Sequence, residues 1–243
     1  MPGVGLQLYT IRDECDRDLE HAISRVGELG YAGVELHSLY GRPAGDVRAL
    51  LDGAGLEPVA MHAGLPALED ELPRLVDEAG ALGIERLVLA WIEPDAGALA
   101  RIAAAAAAVR GAGLSFGFHN HWLELERQAD GGTFLDALRG LPADDLFLEL
   151  DLGWIWHAGA DPIAELERTR GRCPLVHLKD YASREGRDDV PVGDGLVGYE
   201  RVVPAAVDAG AEWLLVEEDE VGDRPFEALA RSLAAVERFL GAA

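Results

Sequence analysis

Four hydrophobic runs in this chain stop at side chains able to bind a cation or move a proton. They are LSFGFHNHWLELE with His119 and His121, FLELD with Asp151, LVHLK with His177 and Lys179, and LLVEED with Glu217 and Asp219. Side chains alternate faces along a strand, so His119 and His121 share one face and Asn120 takes the other. The same alternation pairs Gln7 with Tyr9, Glu35 with His37, Glu149 with Asp151, and Glu217 with Asp219. His62 and the pair Trp91/Glu93 close two further runs. Taken singly, a strand-end carboxylate is more often a cap or a solvated loop residue, and a strand-end imidazole is as commonly a satisfied hydrogen-bond partner. Together they are a different matter. Five of the seven histidines lie at strand ends or one residue beyond. Gathering them with several carboxylates on one interior face would be costly without a compensating ion. A divalent cation cancels carboxylate charge and accepts imidazole lone pairs, so the pattern points to a metal site.

The elements that would position these groups follow one pattern: a short apolar strand, a polar loop, then an amphipathic helix. The strands read Val4–Tyr9, Gly33–Leu36, Glu57–Met61, Arg86–Ala90, Leu114–Phe118, Leu146–Leu150, Leu175–Leu178 and Trp213–Val216. The spacing of Leu19, Ala22, Ile23, Val26 and Leu29 predicts a helix over Asp18–Leu29, closed by Gly30. Further helices read near 47–54, between 68 and 82, over Ala96–Arg110 and near Thr133–Arg139, with Thr133 as N-cap. Asp161-Pro162 reads as a late helix start after the sixth strand. Tyr199–Ala209 and Phe226–Phe239 are the last two helices, the former carrying Pro204, which implies a kink or a later start. The stretch 180–198 reads as a long functional or mobile loop. Within it, Asp180 would orient a ligand or cap the loop, and Asp194 would shape a tight turn.

Eight strand–helix units in 243 residues, with no composition break, predict an α/β chain folded as one closed (β/α)8 TIM barrel spanning residues 1–243. No Gly-x-Gly-x-x-Gly or P-loop follows any strand, which argues against an open nucleotide-binding sheet. In such a barrel the chemistry sits at the C-terminal strand ends.

Bulk properties narrow the function. A formal charge of −23 repels phosphate backbones and makes nucleic acid an unsuitable partner. No apolar run approaches a membrane span, so no membrane partner is expected. Two cysteines, Cys15 and Cys173, and no apolar leader before Val4 fit reduced thiols in a cytoplasmic protein.

Seven segments in order, GLQLYTIRD, GYAGVELHS, GFHNHWLELE, LDLGWIWHAGADP, VHLKDY, VGDGLVGYERV and WLLVEEDE, resemble the sugar phosphate isomerase/epimerase family of xylose isomerase-like TIM barrels. The resemblance spans nearly the whole chain. It implies one divalent ion held by His119, Asp151, His177 and Glu217. Mn²⁺ is the first choice, with Co²⁺, Zn²⁺, Fe²⁺ or Mg²⁺ as alternatives. Many family epimerases carry Glu where His119 stands, which puts a two-carboxylate epimerase mechanism in doubt. Two imidazoles with two carboxylates suit Mn, Fe, Co or Zn better than Mg.

The expected chemistry is proton transfer beside a carbonyl of a sugar, keto-sugar or cyclitol, through a metal-stabilised enediolate. Glu217 is the expected base and Lys179 the proton donor or oxyanion holder. Glu35, His62 and His121 would bind substrate hydroxyls, with Trp91 and Trp154, and also Trp156, as apolar walls. A structural ion pair for Lys179 and core packing for the Trp residues are the competing readings. Arg184 and Arg187 would meet an anionic substrate group or stay solvated. A metal-dependent dehydratase, inosose- or dehydroshikimate-dehydratase-like, is the alternative reaction. A non-catalytic sugar-binding barrel is a further reading, and DNA repair by a related barrel fails on charge. No Arg/Lys cluster after the seventh or eighth strand suggests a phosphate cup, so an unphosphorylated substrate is favoured. A homo-oligomer is compatible with the sequence.

Overall fold

The computed structural model describes residues 1–129 and 131–242. Eight parallel strands close into a barrel: Gly3–Gln7, Gly33–Leu36, Glu57–Ala63, Arg86–Leu89, Ser115–His119, Phe147–Asp151, Leu175–Leu178 and Trp213–Val216. Each pairs with its sequence neighbours. The eighth returns to the first, with Gly3 opposite Trp213 and Leu6 opposite Val216. The single (β/α)8 barrel expected from the strand–helix repeat is therefore the fold.

The helices coat the barrel because their apolar residues recur at helical spacing. In Arg12–Leu29 the buried positions are Cys15, Leu19, Ala22, Ile23 and Val26, one stripe against the strands. Gly30 ends this helix with φ 101°, a left-handed turn open to glycine at no steric cost. Thr133 caps Phe134–Arg139 through a capping box with Asp136, and Asp161 caps Pro162–Arg168 by accepting from the Ile163 N–H.

Several boundaries differ from the sequence expectation. The first strand stops at Gln7, two residues before Tyr9. The Gln7 side chain accepts the Tyr9 N–H at 3.1 Å and turns the chain into a short 3-10 helix, Leu8–Ile11. The first helix begins at Arg12, with a break at Asp18 where φ is −159°. The helical pattern between 68 and 82 divides into Leu65–Asp70 and Leu72–Leu82. A helix over Leu152–His157, absent from the sequence reading, follows the sixth strand directly. Pro204 sits inside Tyr199–Ala209 without delaying its start. The long loop carries a two-residue antiparallel ribbon, Asp180–Tyr181 with Asp189–Val190. Asp180 organises it: its carboxylate accepts the N–H groups of Tyr181, Gly193, Gly195 and Val197 at 2.9–3.1 Å.

Alternation layers the barrel interior. At the N-terminal end the rings of Trp213 and Phe147 fill the bore. Glycines opposite make room: a Cβ at Gly117 would lie 2.2 Å from the Phe147 ring, and one at Gly33 2.9 Å from Trp213. Above them a small apolar layer includes Ala60, Val88, Leu175 and Leu215. One step further along each strand the interior becomes polar: Gln7, Glu35, Glu149 and His177 are all 0% exposed. Among the described residues no helix is long and apolar enough to cross a membrane.

Candidate metal centre at the barrel mouth

Strand register decides which polar ends meet. His119 lies opposite Glu149, and Asp151, one pleat further along, lies opposite His177. His177 in turn sits opposite Leu215, which leaves Glu217 one step above it. The result is that one ligand-type atom from each of His119, Asp151, His177 and Glu217 falls within 4.8 Å of the others. All four side chains are buried.

Local structure aims each one. Asp151 is both the last strand residue and the N-cap of Leu152–His157. Its Oδ1 accepts the Trp154 N–H at 2.8 Å, and this fixes Oδ2 toward the bore. There Oδ2 is buried and has no hydrogen bond; Lys179 Nζ lies 3.6 Å away. Asn120, on the opposite face from His119 as alternation requires, extends the strand pairing: its Oδ1 accepts the Asp151 N–H at 3.1 Å. Leu152–His157 packs very close to the seventh strand. A Cβ on Gly153 would sit 2.2 Å from the Lys179 carbonyl oxygen, so only glycine admits this approach.

The electrostatics are those of a site crowded with carboxylates. Five carboxylates, Glu35, Glu149, Asp151, Glu217 and Asp219, share the region with one lysine. Burial pushes the Asp151 carboxyl up to about 7, Lys179 opposing and Glu217 reinforcing the rise. Burial holds His119 down at about 4, neutral and able to offer a lone pair. Burial would also lower His62, but Glu35 and Glu149 outweigh it and hold that imidazole up at about 10. An unpartnered buried carboxylate oxygen beside a neutral imidazole fits a cation. The two-nitrogen, two-oxygen donor set fits Mn²⁺, Fe²⁺, Co²⁺ or Zn²⁺ better than Mg²⁺.

Lys179 is 1% exposed and bonds both oxygens of Asp219 at 2.9 Å, with Glu217 Oε2 at 3.2 Å. Burial alone would lower its pKa, but Glu217, Asp151 and Asp219 reverse the sign and raise it. The group is therefore held as an ammonium, a form that can give a proton but not take one. Its Nζ also lies 4.8 Å from the Trp154 ring centroid.

Above the cluster opens a cavity of about 380 Å³, lined by Tyr9, His37, His62, Trp91, His119, His121, Lys179, Glu217 and Asp219 among others. Of the residues expected at the substrate, His62, Trp91 and His121 line it. Glu35 lies below, fully buried, and Trp154 lies behind Lys179 at 3% exposure. Trp91 is half open to solvent and packs edge-on to His121 at 4.8 Å. Trp156 packs beside Tyr181, and Arg184 and Arg187 lie over the Trp156 and Trp122 rings. Asp219 and His37 were visible as strand-end residues, but nothing in the sequence set them above the rest. Glu149 was likewise paired with Asp151 by alternation, but only Asp151 of the two carried an expected role.

Glu124 braces this rim. Its Oε2 accepts the His121 N–H at 2.8 Å while its other oxygen is buried without a partner. Burial raises its carboxyl from 4.5 to about 7, the His121 N–H opposing. A carboxyl that holds its proton more tightly when folded leaves stability intact below its unfolded pKa. That contribution is lost as pH rises through about 7. Glu124→Gln should therefore gain on the order of 1–2 kcal/mol over the parent at pH 8.5 and little at pH 5, read by chemical denaturation. An equal difference at both pH values would contradict the assignment.

Comparison with known proteins supports the architecture. No curated protein sequence matches the chain significantly. Among solved structures, a sugar phosphate isomerase/epimerase from Parabacteroides distasonis superposes with TM-score 0.83 at 21% identity, covering 96% of this chain and 95% of that one. The probable 3-DHS dehydratase involved in petrobactin synthesis from Bacillus anthracis gives 0.76 at 15% identity, covering 98% and 99%. An AP endonuclease, family 2, from Brucella melitensis gives 0.71 at 17%, covering 95% and 97%. At these identities the likeness is one of fold, and the three names differ in chemistry. The family model for the xylose isomerase-like TIM barrel matches residues 23–238, nearly the whole chain, and the protein belongs to that family.

Proposed function

We propose that this protein is a divalent-metal-dependent isomerase or epimerase that shifts a proton beside the carbonyl of a small sugar, keto-sugar or cyclitol. The observation that carries the reading is the convergence of His119, Asp151, His177 and Glu217 within 4.8 Å of one another beneath an open cavity. A bound ion would supply a Lewis acid that stabilises negative charge developing on the substrate's carbonyl and hydroxyl oxygens. Glu217 is the base: it is the one carboxylate of the four-residue set that also lines the cavity. Lys179, kept protonated by its carboxylate neighbours, donates a proton or holds the oxyanion. His62 and His121 meet substrate hydroxyls, and the Trp91 ring covers an apolar C–H face.

One observation favours a second reaction. The Lys179 ammonium lies 3.2 Å from Glu217 Oε2, which places an acid beside the base. That arrangement also suits loss of a β-hydroxyl as water. A mass-resolved screen of ketoses, inososes and 3-dehydroshikimate with the Mn²⁺-, Co²⁺- or Zn²⁺-loaded protein separates the two. In ordinary water isomerisation or epimerisation leaves mass unchanged, and in D₂O it incorporates deuterium at the reacting carbon; dehydration removes one water. No turnover and no deuterium exchange with any of these classes would contradict the proposal.

A further inference from the structure

Beneath the proposed ion site, three side chains, Glu149, His62 and Glu35, link the imidazoles of His119 and His177 from behind. His119 Nδ1 lies 3.0 Å from Glu149 Oε2. The same oxygen lies 2.7 Å from His62 Nε2. His62 Nε2 is also 3.1 Å from Glu35 Oε2, and that oxygen lies 2.7 Å from His177 Nε2. Gln7 Nε2 donates to it at 2.8 Å and fixes the Glu35 carboxylate from the first strand. On the far side of its ring, His177 Nδ1 faces Glu217 Oε2 at 2.9 Å.

An imidazole that binds a cation through one nitrogen carries its proton on the other, and an acceptor on that side decides which is which. Both acceptors here are fully buried carboxylates. His62, His119, Glu149 and His177 also lie close enough to hold a cation of their own. Filling that set together with the outer one would require both nitrogens of His119 and of His177 to give up their protons. Two imidazolates among buried carboxylates are disfavoured, whereas the 2.7–3.0 Å contacts are ordinary charge-assisted hydrogen bonds.

Resting on the single-ion reading above, we propose that Glu149 and Glu35 are positioning residues that fix the tautomers of His119 and His177. Glu149 accepts Nδ1–H of His119 and leaves its Nε2 for the ion. Glu35 accepts Nε2–H of His177 and leaves its Nδ1, beside Glu217, for the ion. His62, whose Nε2–H is shared by the two carboxylates, holds them apart and opens on the cavity. Glu35 thus acts on the ion through His177 and does not touch substrate.

The test compares the wild-type protein with Glu149→Gln and Glu35→Gln, using Co²⁺ in competition with a chelator and counting ions per chain. The expected result is one ion per chain throughout, with affinity lower by about 10–100-fold in each variant and a changed Co²⁺ absorption spectrum. Unchanged affinity in both variants would overturn the proposal. So would two ions in the wild type falling to one, which would make these carboxylates ligands of a second cation. A change confined to KM in Glu35→Gln would make Glu35 a substrate contact. Should a variant not fold, ¹⁵N shifts of the Zn²⁺-loaded wild type read the tautomers directly: Nδ1–H on His119 and Nε2–H on His177 are expected, and the reverse on either ring refutes the assignment. A wild type that binds no Co²⁺ or Zn²⁺ would instead sink the metal-dependent function itself.

Discussion

His177→Ala should abolish ion binding at micromolar metal and lower turnover on the order of 10³-fold or more, while the barrel still forms. The size follows from what the residue does. His177 contributes the nitrogen that faces Glu217, and its ring separates the Glu217 and Glu35 carboxylates. Losing it removes one of four proposed ligands and lets buried carboxylates repel one another. If the ion stabilises the developing charge by several kcal/mol, three decades of rate go with it. The ring is fully buried, so truncation also costs stability, roughly 2–4 kcal/mol by analogy with other large-to-small changes. His177→Asn, which keeps a polar group at the position, controls for that. Metal analysis of the dialysed protein, circular dichroism and turnover together check the prediction. Turnover surviving in a folded, metal-free variant would show that the ligand set is wrongly drawn.

Lys179→Met separates catalysis from ion binding. Its ammonium and the ion neutralise overlapping carboxylates: Lys179 Nζ is 3.2 Å from Glu217 and 3.6 Å from Asp151, both in the proposed ligand set. Removing the ammonium leaves those oxygens more negative, so the ion should bind more tightly. The proton donor or oxyanion partner is lost, so kcat should fall by about 10²–10⁴-fold at saturating metal. Without metal the variant should be less stable than its parent, because Asp219 and its neighbours lose a buried counter-charge. Chelator competition, steady-state kinetics and thermal unfolding with and without Mn²⁺ read the three effects. Weaker ion binding with kcat preserved would make Lys179 a structural ion-pair partner only.

The sequence made the interior face legible but not the depth of each residue along the bore. Period-two alternation correctly set His119 against Asn120 and marked Glu149, Asp151, His177 and Glu217 as facing one side. It could not say that Asp151, not Glu149, stands level with His177. That is set by the stagger of the sixth strand on the seventh, a property of barrel closure and not of either strand. For the same reason Glu35 read as a substrate contact, although it lies a layer below the cavity. Tyr9 read as strand because alternation persists in LQLY; the Gln7 side chain ends the strand by accepting the Tyr9 N–H. The helix Leu152–His157 was hidden because LGWIWH is rich in residues that favour strands. What drives it is Asp151, which caps it and in doing so frees one oxygen for the bore. The fold was readable because each of the eight repeats is locally consistent. The fine geometry of the site was not, because it depends on contacts between residues as distant as Glu35 and His177.

The central claim is that imidazoles and carboxylates drawn from four separate strands bind one cation at the barrel mouth. Anomalous diffraction from crystals grown with Mn²⁺ or Co²⁺ tests it most directly. The account predicts a single strong peak about 2.0–2.3 Å from side-chain atoms of His119, Asp151, His177 and Glu217. No peak at that position, or one held only by His62 and Glu149 with Asp151 and Glu217 left free, would contradict it.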